Sequence, residues 1–377
     1  MVEIKVVYSR VTFIHMKKVL IICLHRKDRS PGQRFRYEQY LSFLEENGYH
    51  FDISILLNEK DDKAFYSKGN YFKKIIIYLK TLMTRTKDWF RMNRYDIIFI
   101  FRDALMTGST FFEKRFSRSK AKIIFDFDDA IWLQNVSDAN RLLAFMKNAS
   151  KTGKIIGLSD LIFAGNQYLA EYSAQFNKNI SIVPTTIDTS VYVPRKREGE
   201  NKSICIGWSG SFSTIQHFAT AIPALKKIKK KYGSGVRFKI IGDKNYYCAE
   251  LDTWGDAWVA VTEIEDLSQI DIGIMPLPDD EWAKGKCGLK GLQYMALVIP
   301  TLMSPVGVNT EIIQNGVNGY LPNTENEWVD ILSGLIENKE LRERIGKAGR
   351  QTVIDKYSVE VWKQKYLDNF NKLIATN

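Results

Sequence analysis

Between Asp271 and Gly319 lie two glycine loops, each with the composition of an anion site. The first follows the apolar run 272–275, ended by Pro276, and carries Lys284, Gly285, Lys286 and Gly288 straight into a helical run over 289–297. Glycine lets backbone approach a ligand, the first amides of a helix lack intrahelical acceptors, and flexible ammonium groups supply countercharge. Phosphate is the natural guest. The second loop repeats the device: Gly307 precedes Asn309, read as the cap of a helical run 310–314 with Glu311 in its first turn. A carboxylate cluster, Asp126, Asp128 and Asp129, ends another apolar run. In an extended segment alternate side chains point oppositely, so Asp126 and Asp128 are expected on one side and Asp129 on the other. Such carboxylates can bind a hydroxyl or face a developing positive charge; equally, they can cap a helix or pair with Arg34, Arg36 or Arg102.

Strand-like runs over 19–24, 51–57, 97–101, 123–127, 161–164 and 180–183 alternate with helical ones, the order of parallel βαβ units. The stretch 185–203, with Pro194 and a charged run over 195–202, reads as a linker. Strand signals then restart at 204–208, 238–242, 258–261, 272–275 and 301–303. Two α/β units in tandem are expected, with ligand loops at the carboxyl ends of their strands and the chemistry between them. The end of the chain has Trp362, Tyr366 and Phe370 on one helical face, suited to packing on a domain surface.

With 377 residues, 45% of them hydrophobic, the chain is long enough for two cores. Cys23, Cys205, Cys248 and Cys287 lack metal-ligand spacing, and a reducing, cytoplasmic setting is expected. Neither a spanning apolar stretch nor a signal peptide is visible. Met16, followed by Lys17, Lys18 and the first strand, reads as the true start; the other reading is an added β-segment over 4–13. The net charge of +11 calls for an anionic partner. Zinc-finger, aromatic RNA-binding and helix-turn-helix patterns are missing, so nucleic acid is not the expected partner. Over 71–94, Phe72, Ile75, Ile76, Leu79, Met83, Thr86 and Phe90 form an apolar stripe flanked by Lys and Arg. Two readings stay open: a core helix with a charged outside, or a helix on an acidic lipid surface anchored by Trp89 and Phe90. A second basic face runs over 224–232, and together they are compatible with peripheral attachment to acidic lipid at the inner face of the plasma membrane.

After Met16 the chain resembles glycosyltransferase family 4. The resemblance rests on Gly273-Ile-Met-Pro-Leu-Pro-Asp-Asp-Glu-Trp, Lys286-Cys-Gly-Leu-Lys, Leu292-Gln-Tyr-Met-Ala, Ser304-Pro-Val-Gly-Val-Asn-Thr-Glu and Gly316-Val-Asn-Gly. Ser30-Pro-Gly-Gln-Arg-Phe-Arg, Phe125-Asp-Phe-Asp-Asp-Ala-Ile-Trp, Val183-Pro-Thr-Thr-Ile-Asp and Ile206-Gly-Trp-Ser-Gly-Ser support it in the same order. It implies an α/β, GT-B architecture, two Rossmann-like domains facing across a cleft: 1–186 on the acceptor side, 187–357 for the nucleotide-sugar donor, and 358–377 as a helix packing back. It also implies transfer of a hexose-type sugar from a nucleotide diphosphate donor to a hydroxyl acceptor, with retention and without metal or other cofactor. The expected partners are that donor and a glycan or lipid-linked acceptor of envelope polysaccharide or lipopolysaccharide assembly. A nucleotide-sugar epimerase on the same fold and a non-catalytic nucleotide-sugar or glycan binder are the alternatives.

The chain departs from the family pattern at two places. Two glutamates separated by seven residues are usual, and Gly285 and Gln293 stand at those positions; Gln293 can still bond a ribose, but Gly285 offers no carboxylate. The loop 207–214 lacks the arginine and lysine that relatives hold against the diphosphate. Gly210 and Ser211 are expected to contribute amides and a hydroxyl there. Lys286 and Lys290 are expected to provide the charge, with Gly288 and Leu289 presenting backbone, since cations aimed at a leaving diphosphate lower the barrier. Two solvated lysines are the plain alternative. Asp128 and Asp129 are the favoured catalytic carboxylates, and Arg34 and Arg36 the expected contacts to acceptor or phosphate.

Overall fold

The computed structural model describes residues 16–67, 69–133, 148–195, 203–211 and 214–375. The segment before Met16, most of the charged run 195–202, and Phe212 and Ser213 lie outside them. The first sheet holds β1 (Lys17–His25), β2 (Tyr49–Leu57), β3 (Ile97–Phe101), β4 (Lys122–Phe127), β5 (Leu161–Ala164) and β6 (Ile180–Ile182). Their order is β2-β1-β3-β4-β5-β6, every pairing parallel. The second sheet holds β7 (Ile204–Ser209), β8 (Val236–Ile241), β9 (Tyr247–Cys248), β10 (Thr253–Asp256), β11 (Ile272–Met275) and β12 (Thr301–Met303), ordered β12-β11-β7-β8-β10-β9. Only the short edge strand β9 runs antiparallel among the described strands. These strands are nearly continuous apolar runs because helices cover both faces of each sheet.

One expected strand fails. Trp258, Val259 and Val261 favour extended structure, yet they lie in a loop with Val261 almost fully exposed. The strand that pairs with β8 is Thr253–Asp256, whose weak local preference is overridden by its register against Ile240 and Ile241. Asn309 is likewise the first helical residue rather than the cap, its amide donating to the Ser304 carbonyl.

The helix Tyr71–Arg91 sits inside out. Its buried face carries Lys74, Ile77, Thr81, Arg85 and Asp88, while Phe72, Ile75, Ile76, Leu79, Met83 and Phe90 are exposed. Polar residues can face inward because every guanidinium nitrogen of Arg85 has a partner. Its guanidinium donates to the carbonyls of Cys23 and Ala104, to the Ser54 hydroxyl and to Asp88. The core-helix reading of this segment is therefore corrected: its apolar stripe is not its core side.

The C-terminal helix Val359–Ala375 returns to the first sheet, with Tyr366 stacked on Tyr40 and Phe370 edge-on to Tyr49. A backbone bridge between Ile187 and Ser358 brings the two chain crossings side by side. The units also meet along the lysine loop, and that contact shapes the site.

Candidate functional site

In the second sheet β7 has β8 on one side and β11 on the other, so chain connections leave in opposite directions and a crevice opens at their carboxyl ends. Gly210 and Ser211 follow β7 there. A Cβ on Gly210 would stand 2.2 Å from the Trp208 ring and 2.9 Å from Thr214 Oγ1, so only glycine fits. The Ser211 amide donates to Thr214 Oγ1 at 3.0 Å, which occupies a donor expected to be free for phosphate.

The loop after β11 is built in steps. Asp280 caps the short helix Glu281–Lys284 by accepting from the Ala283 amide. Gly288 then turns the chain with φ of 71° into the helix Leu289–Ala296. That helix makes its first backbone bond from Leu292 to Gly288, which leaves the Leu289 and Lys290 amides without intrahelical acceptors at the crevice. Lys286 Nζ lies 2.7 Å from Asp129, and Lys290 Nζ stands 5.4 Å from the Trp208 ring centre. Burial and then the neighbouring Lys286 push Lys290 down to about 8. The buried His217 beside them is pushed down to about 4 by burial and both lysines, so its ring is neutral.

The opposite wall comes from the carboxyl ends of β3 and β4. Arg102 has φ of 65°, a left-handed conformation uncommon for arginine, and its guanidinium forks between Asp128 Oδ1 and Asp129 Oδ2, 2.7 Å from each. Asp129 thus bridges Arg102 and Lys286. Burial alone would raise its carboxyl, but the two cations hold it below its ordinary value. The expected opposition of Asp128 and Asp129 is corrected: β4 ends at Phe127, so strand alternation no longer applies. Asp126, still in the strand, points inward and pairs with Arg36 at 2.8 Å, both fully buried.

Three of the expected residues are placed elsewhere than open cleft. Arg36 is sealed inside, bonded to Asp126 and the Val183 carbonyl, and no anion or acceptor reaches it. Arg34 spans the two units to Glu263 at 2.8 Å. Gln293 is buried, donating to the Tyr192 hydroxyl at 3.0 Å, which in turn donates to Glu263 at 2.7 Å. Arg34, Glu263, Tyr192 and Gln293 form one polar chain across the interface. Neither Tyr192 nor Glu263 carries a motif that singles it out in sequence. Arg102 carried one faint signal, a charged residue directly after an apolar strand. His25 ends β1, stacked on Tyr66 and pushed down to about 4 by burial.

The lysine loop is docked on the first unit. The Asn166 amide donates to the carbonyls of Lys284 and Lys286 at 3.2 and 3.0 Å, and Tyr168 donates to Glu281. Cys287 Sγ lies 3.3 Å from the Asp128 carbonyl. A Cβ on Gly285 would stand 2.7 Å from both N and Cβ of Ala130, so the missing carboxylate at this position has a steric reason: no side chain fits there with the units together.

Residues 203–338 match the family model described as Glycosyl transferases group 1. No curated protein matches the chain at a significant level. Among solved structures, a sucrose-phosphate synthase from Thermosynechococcus elongatus is similar at a TM-score of 0.70 and 13% identity, covering 96% of this chain and 100% of that one. A glycosyltransferase from Rickettsia africae gives 0.64 and 12% over 96% and 100%. Anabaena HepE, solved with UDP and glucose, gives 0.57 and 14% over 95% and 100%. The chain thus has the GT-B fold, two Rossmann-like units facing across a cleft, and its second unit carries a glycosyl transferases group 1 domain.

Proposed function

We propose that this protein is a hexosyltransferase that moves a sugar from a nucleoside diphosphate sugar to a hydroxyl acceptor, with retained anomeric configuration, in the assembly of an envelope polysaccharide or lipopolysaccharide intermediate. One observation carries the reading: at the β7–β11 crevice, Lys286, Lys290 and the open amides of Leu289 and Lys290 converge opposite the carboxylates of Asp128 and Asp129. The diphosphate lies against the two lysines and the helix start, with Gly288 holding the turn and Gly210 and Ser211 closing the far side. Lys286 exchanges Asp129 for a phosphate oxygen as the donor enters. Asp129, freed from one of its two cations and held in place by Arg102, faces the sugar and takes the position of the carboxylate that Gly285 lacks; Asp128 is fixed by the same arginine. As the bond from the sugar to the phosphate breaks and the bond to the acceptor oxygen forms, the acceptor's proton passes to the leaving phosphate. The lysines supply the countercharge, and no step calls on a metal or another cofactor. UDP in the HepE structure makes uracil the first base to test. The site works within the cytoplasm, where nucleotide sugars are made.

The family-pattern departures at Gly285 and Gln293 motivate a second reading, a binder without turnover. Both are tested by incubating the protein with a panel of nucleotide sugars and glycan or lipid-linked hydroxyl acceptors, following nucleoside diphosphate release and the product's anomeric configuration by NMR. Acceptor-dependent release with a retained product is the expected result. Tight donor binding without any release supports the binder, and an acceptor-independent change of the sugar itself supports an epimerase.

A further inference from the structure

The inside-out helix Tyr71–Arg91 points to a docking surface separate from the cleft. Phe72, Leu79, Met83 and Phe90 are 76%, 53%, 61% and 79% exposed and, with Ile75 and Ile76, form one stripe. From Phe72 to Phe90 it runs ~27 Å at the helical rise of ~1.5 Å per residue. Scattered apolar residues on a surface are ordinary; a continuous ridge of this length is an interaction site. Phe111, exposed and edge-on to Trp89, widens one end.

We infer that this ridge lies in the surface of an anionic lipid bilayer. Charge makes that choice. Lys73, Lys80 and Lys87, seven apart and all exposed, form a row along one flank, Lys80 pairing with Asp61 at 3.1 Å, and Lys114 and Arg118 are exposed on the segment that follows Phe111. The only carboxylate of the helix, Asp88, is buried against Arg85 and Arg91. A second copy of this chain laid on the ridge would bring two lysine rows together, whereas anionic headgroups meet them with opposite charge. The stripe lies along the exposed side of one helix, which suits the plane of headgroups and acyl chains, with the lysine stems reaching back to the phosphates. Lys74, Arg85 and Asp88 hold the inner face to the protein, so the helix lies along the bilayer and does not cross it. Among the described residues no helix is long and apolar enough to cross.

The test is flotation of the full chain with phosphatidylcholine vesicles, with and without about one third phosphatidylglycerol, and needs no turnover, so its result stands apart from that of the transferase assay. We expect the protein to float with the anionic vesicles and not with the neutral ones. The triple variant K73Q/K80Q/K87Q is expected to lose roughly a hundredfold in partitioning, since each surface lysine near such a membrane contributes roughly a factor of five. L79E/M83E is expected to stay in solution, with a melting temperature like the parent's because both side chains point away from the core. Absence of flotation with anionic vesicles overturns the inference. So does flotation unchanged in L79E/M83E, or a dimer in sedimentation velocity that this variant disrupts while vesicles bind neither protein.

Discussion

Gly285→Ala isolates the contact between the two units. Gly285 has φ of −73° and ψ of −9°, where alanine is at ease, so the substitution leaves the lysine loop's own backbone unstrained. The added Cβ meets Ala130 N and Cβ at 2.7 Å, about 1 Å inside a normal carbon contact. Overpacking of that size costs roughly 1–3 kcal/mol, and here the whole cost falls on the arrangement with the units together. It shifts the balance toward separated units by roughly fivefold to a hundredfold. Donor binding uses residues of the second unit, while transfer needs Asp129 and the acceptor from the first. We therefore expect kcat to fall, by at most that factor, while the affinity for the nucleoside diphosphate, measured by calorimetry, changes by less than about threefold. Small-angle scattering should show a larger radius of gyration. Adding Ala130→Gly removes one of the two closest atoms, leaves the amide nitrogen, and should restore part of the rate. Turnover at the parent rate, or a loss of nucleotide binding as large as the loss of kcat, would refute the idea that this contact closes the working site.

Asp129→Asn removes the carboxylate that holds Lys286 in the unliganded protein. Nucleoside diphosphate should bind more tightly, by a few-fold, while kcat falls at least tenfold; calorimetry and initial rates separate the two. Lys290, lowered to about 8, is charged below that pH and neutral above it. Nucleoside diphosphate affinity should therefore be highest below pH 8 and fall as pH rises through it, and titrations between pH 7 and 9 should show a break that disappears in Lys290→Ala. Because its ordinary value is 10.5, the same lysine opposes folding at neutral pH, and that cost is relieved between pH 8 and 10.5. Arg85→Met should cost about 1–3 kcal/mol, read as a lower denaturant midpoint, because it takes the side-chain donor from the buried Cys23 and Ala104 carbonyls, while Asp88 keeps Arg91 and the Ser54 hydroxyl.

The strands were readable because continuous apolar runs between helical segments can only be buried parallel strands; β3, β5, β11 and β12 lie where the pattern places them. The turn at Gly288 was readable because glycine, lysine and a following helix leave few alternatives. Contacts between distant residues were not. Nothing local pairs Arg36 with Asp126 or Lys286 with Asp129, nor reveals that Ala130 presses on Gly285. The helix Tyr71–Arg91 shows a different limit. Periodicity locates its apolar stripe but not the direction the stripe faces, and the partners that let Arg85 turn inward come from β1, β2 and the segment after β3. At Trp258–Val261, strand preference pointed to the wrong segment because no sheet face was there to bury it.

The most direct test is calorimetric titration of the purified chain with UDP, GDP and ADP, repeated with Lys290→Ala and Lys286→Met. Saturable binding of one nucleoside diphosphate, weakened about tenfold or more by either substitution at pH 7, is what a diphosphate site at this crevice requires. Binding that neither lysine affects, or no binding of any of the three, would contradict it.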